Sequence, residues 1–148
     1  MRKVARMAVL LLLAGAAMVS AASSPEAEVR SVLSAVAESA RSLDADAMAR
    51  LRAPDLVSVA GGQAPVSYDE WLSQTRAFYA TLQSCDYKWG DVRVTFPDPG
   101  TAVVAATWSF IAIQKDGGRL EVQGAETYVL LRRDGKWLIV HQHESYRS

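Results

Sequence analysis

Two histidines, His141 and His143, stand two apart in the closing stretch GKWLIVHQHESYRS, residues 135–148. On a β-strand that spacing puts both imidazoles on one face and places Gln142 and Glu144 on the other. A catalytic zinc typically takes three protein ligands. The chain offers these two histidines and one cysteine, Cys85, and no motif supplies a third ligand near the pair. No metal and no other cofactor is therefore expected. The pair reads as structural or interfacial, with catalysis the lesser alternative.

Aromatic residues form the second constellation. Trp108 and Phe110 share a strand face with Ala106 and Ala112, and Tyr87 and Trp89 share a face of the strand before. Such faces pack a core or line a cavity. Arg132, Arg133 and Lys136 surround a turn and read as solvated surface. Asp44 and Asp46 suit the start of a helix. Cys85 has no partner for an internal disulfide and reads as a small buried apolar residue.

The elements that hold these residues follow from periodicity. Ser24 caps a first helix, with Pro25 in its first turn and Val29, Val32, Leu33, Val36, Ala37, Ala40 and Leu43 as its apolar stripe. Asp44 caps a short second helix that stops before Pro54. A short strand is expected over 56–60. In VSYDEWLSQTRAFYATL, Ser67 and Glu70 form a capping box, and Val66 and Trp71 stand at staple positions. The inner stripe of this third helix contains Trp71, Leu72, Thr75, Phe78, Tyr79 and Leu82. Strands are expected at about 85–96, 101–115, 119–133 and 137–146, separated by Pro97–Gly100, Asp116–Gly118 and Asp134-Gly135. Short loops make them an antiparallel meander. Gly124, inside the third of these strands, marks a bulge, a bend or a close approach.

The N-terminus reads as a leader. Arg2, Lys3 and Arg6 precede an apolar run from Met7 to Val19, and small residues follow it. The run falls short of the roughly 20 apolar residues of a spanning helix. The expected division is a signal peptide at 1–22 and one domain at 23–148, periplasmic or secreted. Removing the three basic residues of the leader leaves 13 basic against 16 acidic residues, a net charge of −3. That balance argues against a nucleic-acid partner. No second apolar run suggests a membrane association after cleavage.

The C-terminal half resembles a known family. Glu126-Thr127, Arg132-Arg133-Asp134-Gly135-Lys136-Trp137, Ile139-Val140-His141, His143 and Ser145 are similar to the association domain of calcium/calmodulin-dependent protein kinase II and to SnoaL-like domains. Both lie in the nuclear transport factor 2-like superfamily. The resemblance implies an α+β, cone-shaped fold, with three N-terminal helices on a strongly curved antiparallel meander sheet. It also implies a cavity, which some members use for catalysis and others for binding or assembly. The arginines of the association-domain pocket fall here on Tyr128, on Glu144 and near Ser109 or Phe110, so none is kept.

The resemblance further bears on register. A two-residue turn at Asp134-Gly135 would set Tyr128 opposite His141, and a three-residue loop would set it opposite Val140. The association-domain pattern implies the longer loop. Tyr128, Leu130, Leu138, Val140, Gln142 and Glu144 then face inward. Trp137, Ile139, His141 and His143 face the convex side, which superfamily members use for dimer packing. The candidate ligand-binding residues are Tyr79, Trp108, Phe110, Tyr128, Gln142 and Glu144. The favoured reading is an exported, non-enzymatic module that forms a homodimer through the convex sheet face and takes a small, largely apolar ligand. The alternative is a cofactor-independent lyase, isomerase or hydrolase using Glu144 as base beside Tyr128.

Overall fold

A computed structural model describes residues 23–147, and the leader expected over 1–22 lies outside them. Helix α1 (Pro25–Arg41) starts where the Ser24 side chain accepts a hydrogen bond from the Ala27 N–H, with Glu26 and Glu28 at the positive end of its dipole. Its buried stripe, Val29, Leu33, Val36, Ala37 and Ala40, packs mainly on the sheet's far strand. Helix α2 (Ala45–Ala49) is capped by Asp44. Strands β1 (Arg52–Ala60) and β2 (Val66–Ser67) lead into α3 (Tyr68–Ala80), whose capping box of Ser67 and Glu70 is formed in both directions. The meander follows as β3 (Leu82–Asp98), β4 (Thr101–Gln114), β5 (Arg119–Arg133) and β6 (Lys136–Arg147).

The strands run in the order β2-β1-β6-β5-β4-β3, in one open, curved sheet. The meander is antiparallel, but β1 lies parallel to β6, so the sheet is mixed and has six strands. Strand β1 begins at Arg52, earlier than the apolar run suggests. Arg52 pairs with Ile139, the ladder lapses around Pro54, which has no N–H to donate, and pairing resumes at Val57 opposite His141. The helices cover the concave side, giving a cone-like α+β fold. Two long bonds fix α1 across β3. The Trp89 indole donates to the Leu33 carbonyl at 2.8 Å, and Arg41 donates to the Tyr87 carbonyl at 3.0 Å. Among the described residues no helix is long and apolar enough to cross a membrane.

The closing hairpin differs from expectation. Asp134 and Gly135 both have positive φ, 50° and 76°, the requirement of a tight two-residue turn, and Arg133 pairs directly with Lys136. Trp137 and Ile139 are consequently buried, while Leu138 and Val140 lie on the other face, half-buried. Burying an Ile in place of an exposed one contributes about 1.5–3 kcal/mol, and Trp137 adds a hydrogen bond from its indole to Glu28 at 2.9 Å. Those gains favour the tight turn. An extra residue then enters β6 at Val140: Leu130 pairs with Ile139, but Val129 pairs with His141. This bulge reverses the alternation. Beyond it Tyr128 faces Gln142, Glu126 faces Glu144, and both histidines point away from the hollow.

Gly124 keeps its place in the ladder, opposite both Trp108 and Tyr146. A Cβ there would come within 2.6 Å of the Trp108 ring. Its absence lets the indole lie across the strand, edge-on to Tyr146 with centroids 6.0 Å apart. The close approach is within the sheet itself, to that ring and, closer still to the same Cβ position, to the Ser145 carbonyl oxygen of the neighbouring strand.

Candidate functional site

The concave side encloses a cavity of about 450 Å³, lined from α1, α2, α3 and the strands facing them. Its exposed lining residues, Gln63, Ala64, Gln74, Phe78 and Tyr146, mark the mouth. Most of the wall is apolar. Trp108 is stacked on Tyr87 with centroids 6.0 Å apart, and Phe110 meets Phe78 at 5.8 Å.

One wall is polar, and β1, β5 and β6 build it. Arg52, at the start of β1, is 5% exposed. Its Nε donates to Gln142 Oε1 at 2.8 Å, and its Nη1 donates to the Met48 carbonyl at 2.9 Å. Gln142 Nε2 in turn donates to Ser58 Oγ at 2.9 Å. The guanidinium lies over the Trp71 ring, 4.3 Å from its centroid. Among the described residues no carboxylate makes a salt bridge with it.

Beside this relay, Glu126 and Glu144 oppose each other across the β5–β6 hairpin, the geometry that sets Cβ atoms about 4.5–5.5 Å apart. Glu126 is 6% exposed. Burial, reinforced by the Glu144 charge and opposed by Arg52, pushes its carboxyl up to about 8. Burial raises Glu144 too, while a hydrogen bond from Tyr146 Oη at 3.3 Å and the Arg52 charge oppose the rise. Two carboxyls facing each other in an apolar hollow ionise one at a time. Near neutral pH one can hold a proton while the other accepts one, which is the requirement for paired general acid and base.

All six residues expected at the site line the cavity: Tyr79, Trp108, Phe110, Tyr128, Gln142 and Glu144. Their situations differ. Tyr79 donates to Met48 Sδ at 3.6 Å. Trp108 Nε1 is buried with no hydrogen-bond partner among the described residues. Tyr128 is almost wholly buried, and burial holds its phenol protonated far above the ordinary tyrosine range. Gln142 has its amide oxygen and nitrogen engaged by Arg52 and Ser58, so it positions Arg52. Leu138 and Val140, expected inward, do not line the cavity, and neither histidine does.

Arg52 and Glu126 are the charged cavity residues that sequence reasoning missed. Arg52 precedes the recognisable apolar run of β1, and an arginine two residues before a proline carries no burial signal. Glu126 lay in the stretch that carries the family resemblance. Its pairing with Glu144 depends on the Val140 bulge, since the expected register sets these strands two residues out of step.

Comparison with known proteins agrees with the fold. Residues 29–147 match the family model of the SnoaL-like domain. No curated protein is significantly similar to the chain. A candidate calcium/calmodulin-dependent protein kinase II association domain from Xanthomonas campestris is 25% identical, with a TM-score of 0.71 over 81% of this chain and 86% of that one. A nuclear transport factor 2-like superfamily protein from Salmonella enterica superposes with a TM-score of 0.74 at 18% identity, over 83% and 91% of the two chains. A candidate scytalone dehydratase from Novosphingobium aromaticivorans gives 0.77 at 10% identity, over 83% and 84%.

The raised Glu126 carboxyl has a consequence for stability. Between its ordinary value, 4.5, and about 8 the folded protein holds a proton that the unfolded chain releases. Stability therefore falls as pH rises through that window and levels off above it. Thermal melts from pH 5 to pH 9 should show this decline in the wild type, and Glu126→Gln, which mimics the protonated acid, should flatten it. An unchanged slope in the variant would contradict the assignment.

Proposed function

We propose that this chain, which belongs to the SnoaL-like domain family, binds a small, largely apolar molecule in its cavity and transfers protons on it through Glu126 and Glu144. The observation that carries this reading is the direct opposition of the two carboxylates inside an apolar hollow. It takes up the catalytic alternative of the sequence reading and replaces Tyr128 with Glu126 as the partner of Glu144. Glu144 is the base, being nearer the mouth and less strongly hindered from ionising. Glu126, protonated at neutral pH, is the acid. The same fold in a candidate dehydratase is a likeness of scaffold, and the argument here rests on this chain's own side chains.

A passive binder would need an apolar wall with its polar groups satisfied, whereas two buried carboxyls facing each other, neither in a salt bridge, weaken binding of an apolar guest. Export belongs to the reading as well, on the strength of the leader composition. So does a homodimer through the convex face, where Val57, Val103, Val129, Leu131 and Leu138 remain partly exposed. Light scattering on the purified protein should give twice the chain mass, and a monomer at micromolar concentration would remove the dimer from the account.

Catalysis is tested with 5-nitrobenzisoxazole, a flat apolar probe whose ring opens when a base removes its C–H proton. The wild type should open it with a rate that rises with pH as Glu144 ionises. Glu144→Gln should lose about 10²–10⁴ of the acceleration, the usual scale for a positioned base. Equal rates for the two proteins, with the probe still bound, would leave the non-enzymatic binding module as the correct reading.

A further inference from the structure

On the convex face, two side chains keep their polar chemistry unspent. Beyond the Val140 bulge, His141 stands between Val57 of β1 and Val129 of β5, and His143 stands between Val59 and Thr127. None of these strand partners is charged. Neither ring lines the cavity; His141 is half-buried and His143 exposed. The side-chain hydrogen bonds of this half of β6 belong to Gln142, Ser145 and Tyr146. Among the described residues neither imidazole makes a hydrogen bond or a salt bridge. A spacing of two along a strand sets their Cα atoms about 6.5 Å apart on one face, close enough for both rings to turn to one ion. One copy is not enough to enclose it, since among the described residues no group of three His, Cys, Asp or Glu is placed to hold a metal. Structural zinc takes four ligands, and a two-fold axis doubles whatever lies beside it.

We propose that His141 and His143 of two copies together hold one zinc ion, at the centre of the dimer that the convex face forms. This rests on the homodimer of the reading above and assigns its centre a ligand set. Strand β6 is the third of six, so the pair sits near the middle of the sheet, with the partly exposed Val57, Val129 and Val103 on the strands around it. An isologous interface sets the elements nearest its axis against their own copies. Sheets packed face to face lie about 10 Å apart, a gap that facing histidines and a shared ion span with Zn–N bonds of about 2.0–2.1 Å. Packing this face on its copy without a metal buries four imidazoles that have no partner, which costs stability. A shared zinc removes that cost, because one lone pair of each ring becomes a metal bond. Imidazole ligands without carboxylates suit zinc, copper or nickel in place of magnesium or calcium, and a tetrahedral set of four selects zinc. The site lies on the opposite face of the sheet from Glu126 and Glu144, so its role is assembly.

The test uses the untagged protein, stripped with a chelator and titrated with zinc chloride by calorimetry, with light scattering at each point. Zinc should bind at one ion per two chains and lower the dimer dissociation constant at least about tenfold. His143→Gln, a substitution at an exposed position, should abolish both effects while the circular dichroism spectrum stays unchanged. His141→Gln should do the same. Cobalt(II) in place of zinc should give the intense visible bands of a tetrahedral site, which an ion held by one histidine pair and completed by water lacks. No zinc uptake, one ion per chain with association unchanged, or uptake that persists in both variants overturns the shared site. If the stripped protein is still a dimer in that case, the apolar interface stands without the metal. A stripped monomer that zinc converts to a dimer supports the shared site and removes the metal-independent dimer instead.

Discussion

Strand β6 has to serve two surroundings. Its first half closes the core, where Trp137 and Ile139 are buried beneath α1, and its second half faces the cavity through Gln142 and Glu144. Strict alternation from Trp137 would send His141 and His143 into the hollow and turn Gln142 and Glu144 outward. One extra residue at Val140 prevents this. The tight turn at Asp134-Gly135, the buried indole hydrogen-bonded to Glu28 and the polar wall of the cavity are compatible only because the strand slips there. Everything proposed about the site depends on that slip.

The polar wall shows what the cavity demands of its scaffold. Arg52, Glu126, Ser58 and Gln142 are all buried, in a domain of modest size. Buried charge without a paired ion generally costs stability that apolar replacements would restore. Their arrangement answers part of that cost, since Gln142 links Ser58 to Arg52 and the Arg52 charge tempers the rise in both glutamates. The remainder is not answered within the cavity. A free guanidinium nitrogen and two carboxyls competing for ionisation are groups that become satisfied in the presence of a ligand. Strain of this kind concentrates where chemistry is done.

Much of the fold was legible. The caps at Ser24, Asp44 and Ser67 are written as single residues at fixed offsets, and each is formed. The meander strands could be read from turn dipeptides, and the cavity-facing aromatics Trp108 and Phe110 from simple alternation. Strand β1 was legible only in its apolar half, because pairing with β6 at Arg52 is a long-range event with no local signature. The closing hairpin was misjudged at its turn. Two positive φ values suit Asp-Gly, yet the family pattern pointed to a longer loop, and the bulge that reconciles them sits five residues further on. No residue type marks it, since Val140 is an ordinary strand residue. The facing of Gln142 and Glu144 came out as expected, while their cross-strand partners did not, and this hid the opposition of Glu126 and Glu144.

The central claim is that Glu126 and Glu144 face one another in the cavity and titrate as a pair. Carbon-13 NMR of protein labelled at the glutamate side-chain carboxyls, with Glu126→Gln and Glu144→Gln for assignment, reads both groups directly. The account predicts two steps above the ordinary glutamate value, the upper near 8, and a fall in the Glu126 midpoint when Glu144 is made neutral. Two independent midpoints near 4.5, each indifferent to the other's substitution, would contradict it.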